Sequence, residues 1–365
     1  MVRNNSLLVL AGASALGAVL LLAWARRRRR RGEVLLPPHL ASPPPSMKTQ
    51  RLSALSGGTD AADTSFRNEV TTTPIAAPSP RKTAAAGHEG NLEMDGMFYK
   101  LENVATPSRY ENELAMLQRL LKGDPMTSCA PTFHGVVTID GKRYLKMRSV
   151  LAAFDAASLC VMDVKMGVRC FAESELSSKK PRGDLFERLK KMQPSALTAE
   201  EQAAQTITKA RWMKVRDSLS STQDLGFRVD GINTPTTKRK SGGDLALVRG
   251  EADILVALRD FLPKEAAAAA AARLGIQARL AEISDALARS ELFASHEIIG
   301  SSLLFAADGS GKSGVWMIDF GLTVPSPVGQ LRHTVPWEYG NHEDGYLFGL
   351  ANIQRLWGEL IKEAA

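Results

Sequence analysis

The chain has 365 residues, 44% of them hydrophobic and 23% charged, which is long enough for one large domain or two modest ones around a sizeable core. Its 46 Lys and Arg against 39 Asp and Glu leave a net charge of +7, but six of those cations form the run Arg26 to Arg31, so the rest is close to neutral. With no interleaving of aromatic and basic residues, this charge excludes a nucleic-acid-binding domain, and the three cysteines (Cys129, Cys160, Cys170), with no CxxC pair and no His at ligand spacing, fit a reducing compartment rather than a zinc site.

Ser6 to Trp24 is a stretch of 19 residues without a charge, long enough to cross a bilayer as a helix. The arginine run follows it instead of preceding it. That order predicts a retained anchor over 1–31 with the C-terminal bulk in the cytosol, the arginines lying against anionic headgroups of an unspecified membrane. Ala23-Trp24-Ala25 supports the alternative, a cleaved signal peptide or transit segment. Residues 32–85 are rich in Pro, Ser, Thr and Ala without apolar periodicity and are predicted to be a disordered tether.

Order is predicted from about residue 86. Met97 to Leu101 reads as a strand, Ser108 to Leu121 as a helix, and Thr132 to Ile139 with Arg143 to Met147 as a hairpin turned by Asp140-Gly141. Residues 172–220 read as a charged helical insertion with a capping box at Thr198 and Glu201. Strands return around Leu225 to Ile232, a Gly- and Lys-rich turn spans Thr234 to Gly243, and a helix runs from Glu265 to Ala288. Its seven alanines, Ala266 to Ala272, read as low-complexity filler. Leu303 to Phe305 and Val315 to Ile318 form a second predicted hairpin, ended by Asp319.

Two places in this pattern carry chemistry. The segment Leu159 to Arg169 contains an apolar run, bounded by Gly167, that reads as a buried strand and holds Asp163 and Lys165 two residues apart, so both face one way. Buried charges are paired or liganded, so the pair is either a structural ion pair or part of a site for a nucleotide, its metal and an anionic substrate. Asp319-Phe320-Gly321 puts a second carboxylate at a strand end, suited to Mg²⁺; its bland reading is a turn aspartate. Together they point to phosphoryl transfer, which needs positioned phosphates, a metal and cations. There is no HRDxxxxN loop and no GxxxxGK[ST] motif, which sets aside protein kinases and P-loop enzymes.

Six blocks in register resemble the inositol polyphosphate kinases, whose signature is PxxxDxKxG, and within them the inositol-trisphosphate 3-kinases. They are CVMDVKMGVR (Cys160 to Arg169), ITKARWMKVRDSLSST (Ile207 to Thr222), LGFRVDGI (Leu225 to Ile232), HEIIGSSLLF (His296 to Phe305), VWMIDFG (Val315 to Gly321) and PWEYGNHEDGYLFGL (Pro336 to Leu350). The resemblance implies an α+β, two-lobed kinase-like fold over 86–365. It would have a small N-lobe of antiparallel sheet and helix, a larger C-lobe, and a helical insertion that binds inositol phosphate. It implies ATP and Mg²⁺ as cofactors. Lys100 is then similar to the lysine on the ATP phosphates, Asp163 to the ribose ligand, Asp319 to the metal ligand and Lys165 to the lysine at the reacting hydroxyl. Ser302 would lie near metal and phosphates, with a strand-start hydroxyl as its plain reading. Lys209 and Arg216 would hold substrate phosphates, whereas without the resemblance they read as a solvated basic face.

The chain also departs from that family. Leu159 stands where the signature proline usually is. The segment Lys179 to Asp184 is short and lacks a usual basic contact, for which Lys179, Lys180 or Arg182 could substitute. The hinge Met147 to Val150 lacks an expected acid, and Leu322 replaces a lysine that follows the DFG. The implied activity is transfer of phosphate to the 3-hydroxyl of inositol 1,4,5-trisphosphate. The alternatives are a broader multikinase and an inositol-phosphate-binding membrane scaffold with weakened catalysis. Asp184 to Met192 lies where animal relatives bind calmodulin, but reads first as an ordinary helix packed on the insertion.

Overall fold

The computed structural model of the protein describes residues 90–363 apart from 241–244 and 246. The apolar stretch Ser6 to Trp24, the Arg26 to Arg31 run and the tether expected over 32–85 lie outside the described residues. The expectation of a membrane-anchored chain is corrected: among the described residues no helix is long and apolar enough to cross a membrane, so that localisation does not stand.

The first lobe is a four-stranded antiparallel sheet in the order β1-β2-β4-β3, built from β1 (Leu92–Met94), β2 (Met97–Leu101), β3 (Phe133–Ile139) and β4 (Lys142–Arg148), with α1 (Pro107–Leu120) between β2 and β3. The β3–β4 turn has Asp140 and Gly141 both at positive φ, 50° and 73°, as an Asp-Gly two-residue hairpin requires. Helix α1 begins with Pro107, whose missing N–H costs nothing at a first turn, and it buries Tyr110, Glu113, Met116, Leu117 and Leu120. Four of these are apolar at helical spacing. Glu113 is not, and its burial needs a partner.

The second lobe centres on β5 (Cys160–Met166). This strand is covered on both faces, which explains why its sequence is nearly continuously apolar rather than alternating. After β5 the chain leaves the sheet to form β6 (Pro181–Arg182), α2 (Gly183–Met192), α3 (Ala199–Ala204), β7 (Ile207–Thr208) and α4 (Lys209–Leu219). Leu185, Phe186 and Leu189 of α2 pack with Leu197, Ile207 and Val215 into a small apolar cluster of their own. The apolar face of α2 is thus already covered. The predicted capping box is present, with Glu201 N donating to Thr198 Oγ1 at 3.2 Å and Thr198 N to Glu201 Oε2 at 3.0 Å.

A single turn, α5 (Thr222–Leu225), leads to β8 (Phe227–Asn233) and β9 (Lys238–Lys240). Helices α6 (Glu251–Phe261), α7 (Ala266–Ala288) and α8 (Glu291–Ala294) follow, then β10 (His296–Ile299), β11 (Ser302–Ala307), β12 (Ser313–Ile318), β13 (Leu322–Pro325) and α9 (Tyr346–Lys362). The five-stranded sheet runs β12-β11-β5-β8-β9, antiparallel throughout, and β10 pairs with β13 separately. Two expectations need correction. The turn assigned to Thr234–Gly243 contains strand β9, and the alanines of α7 are not filler. Ala268, Ala269 and Ala272 are buried, and α7 packs against both β12 and α9. Small side chains allow that close approach, and the core beside it is aromatic, with Phe305 and Trp357 stacked at 5.7 Å.

Candidate active site

The site lies where β2 and α1 of the first lobe meet the β5, β11 and β12 ends of the second. Lys100 projects from β2. Its Nζ donates to Glu113 Oε1 on α1 at 2.8 Å and to Asp319 Oδ1 at 2.6 Å. From β5, Lys165 Nζ donates to the other oxygen, Asp319 Oδ2, at 3.1 Å and to the Gly300 carbonyl at 3.1 Å. One carboxylate therefore gathers two ammonium groups from separate lobes. Asp319 sits just past β12 at φ 65°, a left-handed conformation that turns its side chain away from the strand and toward both lysines. Burial opposes its charge, but the Lys100 and Lys165 ammoniums outweigh that and hold the carboxyl far below its usual range. Both lysines are raised correspondingly, their burial outweighed chiefly by Asp319.

Asp163 and Lys165 share a face of β5, as their spacing predicts. Asp163 is buried, which raises its carboxyl, while Lys165 nearby lowers it and Asp230 and Asp319 raise it further. Ser302, opposite Lys165 in β11, also opposes that rise without forming a hydrogen bond of good geometry. Among the described residues, Asp163 Oδ1 and Ser302 Oγ have no hydrogen-bond partner. These two buried oxygens keep unused hydrogen-bonding capacity close to the Lys165–Asp319 pair.

Between β5 and β8 the register shifts at Asp163/Val164, leaving Asp230 as the extra residue. The bulge re-aims that carboxylate. Asp230 Oδ1 accepts from Arg216 Nη2 at 2.8 Å and from Arg228 Nε at 3.0 Å. Its carboxyl is lowered: burial opposes the charge, and Arg228, Arg216 and Lys165 overcome it. Arg216 of α4 is thus linked through Asp230 to the Lys165 face. Lys209, seven residues earlier on α4, has a different partner: its Nζ is hydrogen-bonded to Glu175 Oε1. The structure brings Lys100, Asp163, Lys165, Ser302 and Asp319 together, joins Arg216 through a bridge, and leaves Lys209 at the junction of insertion and first lobe.

Sequence reasoning passed over Glu113, Asp230 and Glu175. Asp230 gave the same signal as Asp163, a carboxylate in an apolar strand; Glu113 gave none, because its partner is on another element. The hinge is not without an acid either: Ser149 Oγ donates to Glu93 Oε1, brought in from β1. Of the basic residues considered in the short segment, Arg182 is occupied locally by Asp184, with bonds of 2.7 and 2.6 Å. Leu322 is half-buried on β13 with its side chain over Gly300, whose carbonyl holds Lys165.

No group of three or more His, Cys, Asp or Glu side chains that could hold a metal occurs among the described residues. The donor set at Asp319 instead fits a Mg²⁺ ion, which is commonly held by one or two carboxylates together with substrate phosphates.

The family profile described as inositol polyphosphate kinase matches residues 144–357. Inositol-trisphosphate 3-kinase A of Homo sapiens is 38% identical over 301 residues, covering 79% of this chain and 62% of that protein. Inositol-trisphosphate 3-kinase B of Homo sapiens is 39% identical over 298 residues, covering 76% of this chain and 28% of that protein. The chain thus spans less than two thirds of the length of these relatives. A solved structure of the S. cerevisiae inositol phosphate multikinase Ipk2, in complex with ADP and Mn²⁺, aligns with a TM-score of 0.45 at 16% identity over 73% of this chain and 99% of that one. By the profile match and the identity across most of its length, the chain belongs to the inositol polyphosphate kinase family.

Proposed function

We propose that the protein is an ATP-dependent inositol phosphate kinase that phosphorylates the 3-hydroxyl of inositol 1,4,5-trisphosphate, giving the 1,3,4,5-tetrakisphosphate. The observation that carries this reading is the Lys100–Asp319–Lys165 constellation, which joins a cation from each lobe to one carboxylate. Phosphoryl transfer through a loose transition state asks the protein for position and charge, not for a covalent intermediate. These residues supply both. Lys100, itself oriented by Glu113, binds ATP phosphates; Asp163 holds the ribose; Lys165 bridges the reacting hydroxyl and the transferring group. Asp319, with Ser302 close by, would hold Mg²⁺, which when bound supplies neutralisation of the phosphate charge. Lys209 and Arg216 bind the substrate phosphates, Arg216 in an orientation set by Asp230. The catalytic unit is assigned to 86–365, with substrate binding by the insertion at about 172–220.

The reading includes no calmodulin contact, because the apolar face of α2 is buried against Leu197, Ile207 and Val215. A second reading, a broader inositol polyphosphate multikinase, is favoured by one feature: Leu322 puts an apolar side chain over Gly300, the residue whose carbonyl holds Lys165. The ion-paired Lys100, Lys165 and Asp319 argue against a catalytically weakened scaffold. The test is Lys165→Ala in the full chain with ATP, Mg²⁺ and the trisphosphate. Loss of one such electrostatic contact is expected to lower kcat by about 10²–10³-fold; an undiminished rate would remove Lys165 from the mechanism.

A further inference from the structure

Arg109 of α1 stands against the loop that carries Asp319. A Cβ placed on Gly321 would lie 3.2 Å from the Arg109 carbonyl oxygen and 3.3 Å from Arg109 Cβ, and Asn112 Nδ2, one turn further along α1, donates to the Gly321 carbonyl at 3.2 Å. From this fixed base the Arg109 side chain crosses to the insertion, where its Nη2 lies 3.7 Å from Glu175 Oε1. The Lys209 ammonium bonds the same oxygen. The other Glu175 oxygen accepts from Ala172 N at 3.1 Å, so the backbone holds the carboxylate in place.

Two cations from different lobes therefore share one carboxylate oxygen, and that single negative charge neutralises only one of them. Both cations keep open surface, 42% of the Arg109 side chain and 36% of that of Lys209, while Glu175 keeps 19%. A guanidinium and an ammonium side by side with a surplus positive charge, adjoining the loop of the proposed metal ligand, suit a phosphate group. We infer that Arg109 is a substrate-phosphate ligand contributed by the first lobe, forming with Lys209 a subsite for one phosphate of the inositol phosphate. The inference rests on the kinase reading above and names a specificity-determining residue for it. It gives the first lobe contact with both substrates, ATP through Lys100 and inositol phosphate through Arg109.

The test is calorimetric titration of inositol 1,4,5-trisphosphate into the nucleotide-free full chain, which reads binding without turnover. Arg109→Gln should weaken binding about tenfold, the loss of one exposed charge-assisted contact, with ATP affinity unchanged and most of the loss restored in Arg109→Lys. Glu175→Gln removes the negative charge and keeps both cations, so it should bind the trisphosphate no more weakly than the parent. A latch that only held α1 to the insertion would lose affinity in both variants. That result overturns the inference, as does equal binding by Arg109→Gln and the parent, or binding by neither. Tight binding without phosphate transfer would remove the kinase reading and leave the subsite standing; transfer with Arg109→Gln binding unchanged would do the reverse.

Discussion

Asp319 shows how one side chain organises the site. Its left-handed φ of 65° and its two ammonium partners leave it ionised far into acid. The sign follows from its depressed value: the stability it adds is present above the ordinary carboxyl range, near 3.8, and is lost only as pH falls through the lower folded value. Asp319→Asn should cost activity by about 10²-fold or more, since it removes the negative charge and one of the two carboxylate oxygens where a divalent ion would sit; steady-state rates across a Mg²⁺ series would show this as a loss that added metal does not restore. Leu322 makes the opposite prediction. Placed over Gly300, whose carbonyl holds Lys165, a lysine would add one charge-assisted contact. Leu322→Lys should lower KM for the trisphosphate about tenfold, and an unchanged KM would show that position 322 does not face substrate. Asp163, Lys165 and Asp319 were legible because a charge in an apolar strand is conspicuous. Glu113 and Glu175 were not, because each acquires meaning only from a cation on a distant element.

Among the elements, the hairpins were the most readable, since Asp140-Gly141 and the alternation beside it specify turn and register locally. Helix α6 was passed over although Ile254, Ala257, Leu258 and Phe261 have helical spacing, and strand β9 was missed because its pairing with β8 is not visible in a run of Lys and Arg. The close approach beneath β5 was also illegible. Gly226, at φ 72°, lies so near α9 that an added Cβ would meet Gly349 N at 2.7 Å, and its carbonyl accepts from Gly167 N at 2.7 Å at the end of β5. Gly226→Ala should therefore destabilise the fold by about 2 kcal/mol or more, measured as a fall in the denaturant midpoint. The segment before α9 is held differently. His333 faces Asp344 Oδ1 at 2.8 Å on one ring nitrogen and the Phe293 carbonyl at 3.0 Å on the other, so the charged ring satisfies both. Burial opposes that charge, but the Asp344 hydrogen bond and charge raise the His333 value above 6.5. Its stabilisation is complete below about pH 6.5 and is lost as pH rises through the raised value. Thermal melts should show Tm falling on the alkaline side, with a flatter profile in His333→Asn.

Across the whole molecule, the two lobes meet through charge. The series Glu113–Lys100–Asp319–Lys165 runs from α1 to β5, and Arg109 with Glu175 and Lys209 makes a second crossing to the insertion. The α+β two-lobed architecture was legible through the six blocks that resemble the inositol polyphosphate kinases, such as CVMDVKMGVR and VWMIDFG, rather than through strand and helix periods alone, whereas the expected anchor was argued from residues that lie outside those described. The second crossing was not legible, since it depends on how the insertion folds back onto α1. On the proposed function, this architecture transfers phosphate from ATP to one hydroxyl of one inositol phosphate. The most direct measurement incubates the full chain with labelled ATP, Mg²⁺ and a panel of defined inositol phosphate isomers, then identifies the products. Inositol 1,3,4,5-tetrakisphosphate as the dominant product, from the 1,4,5-trisphosphate in preference to the other isomers, is the expected result; no labelled inositol phosphate, or a product carrying the new phosphate at another position, would overturn the proposed function.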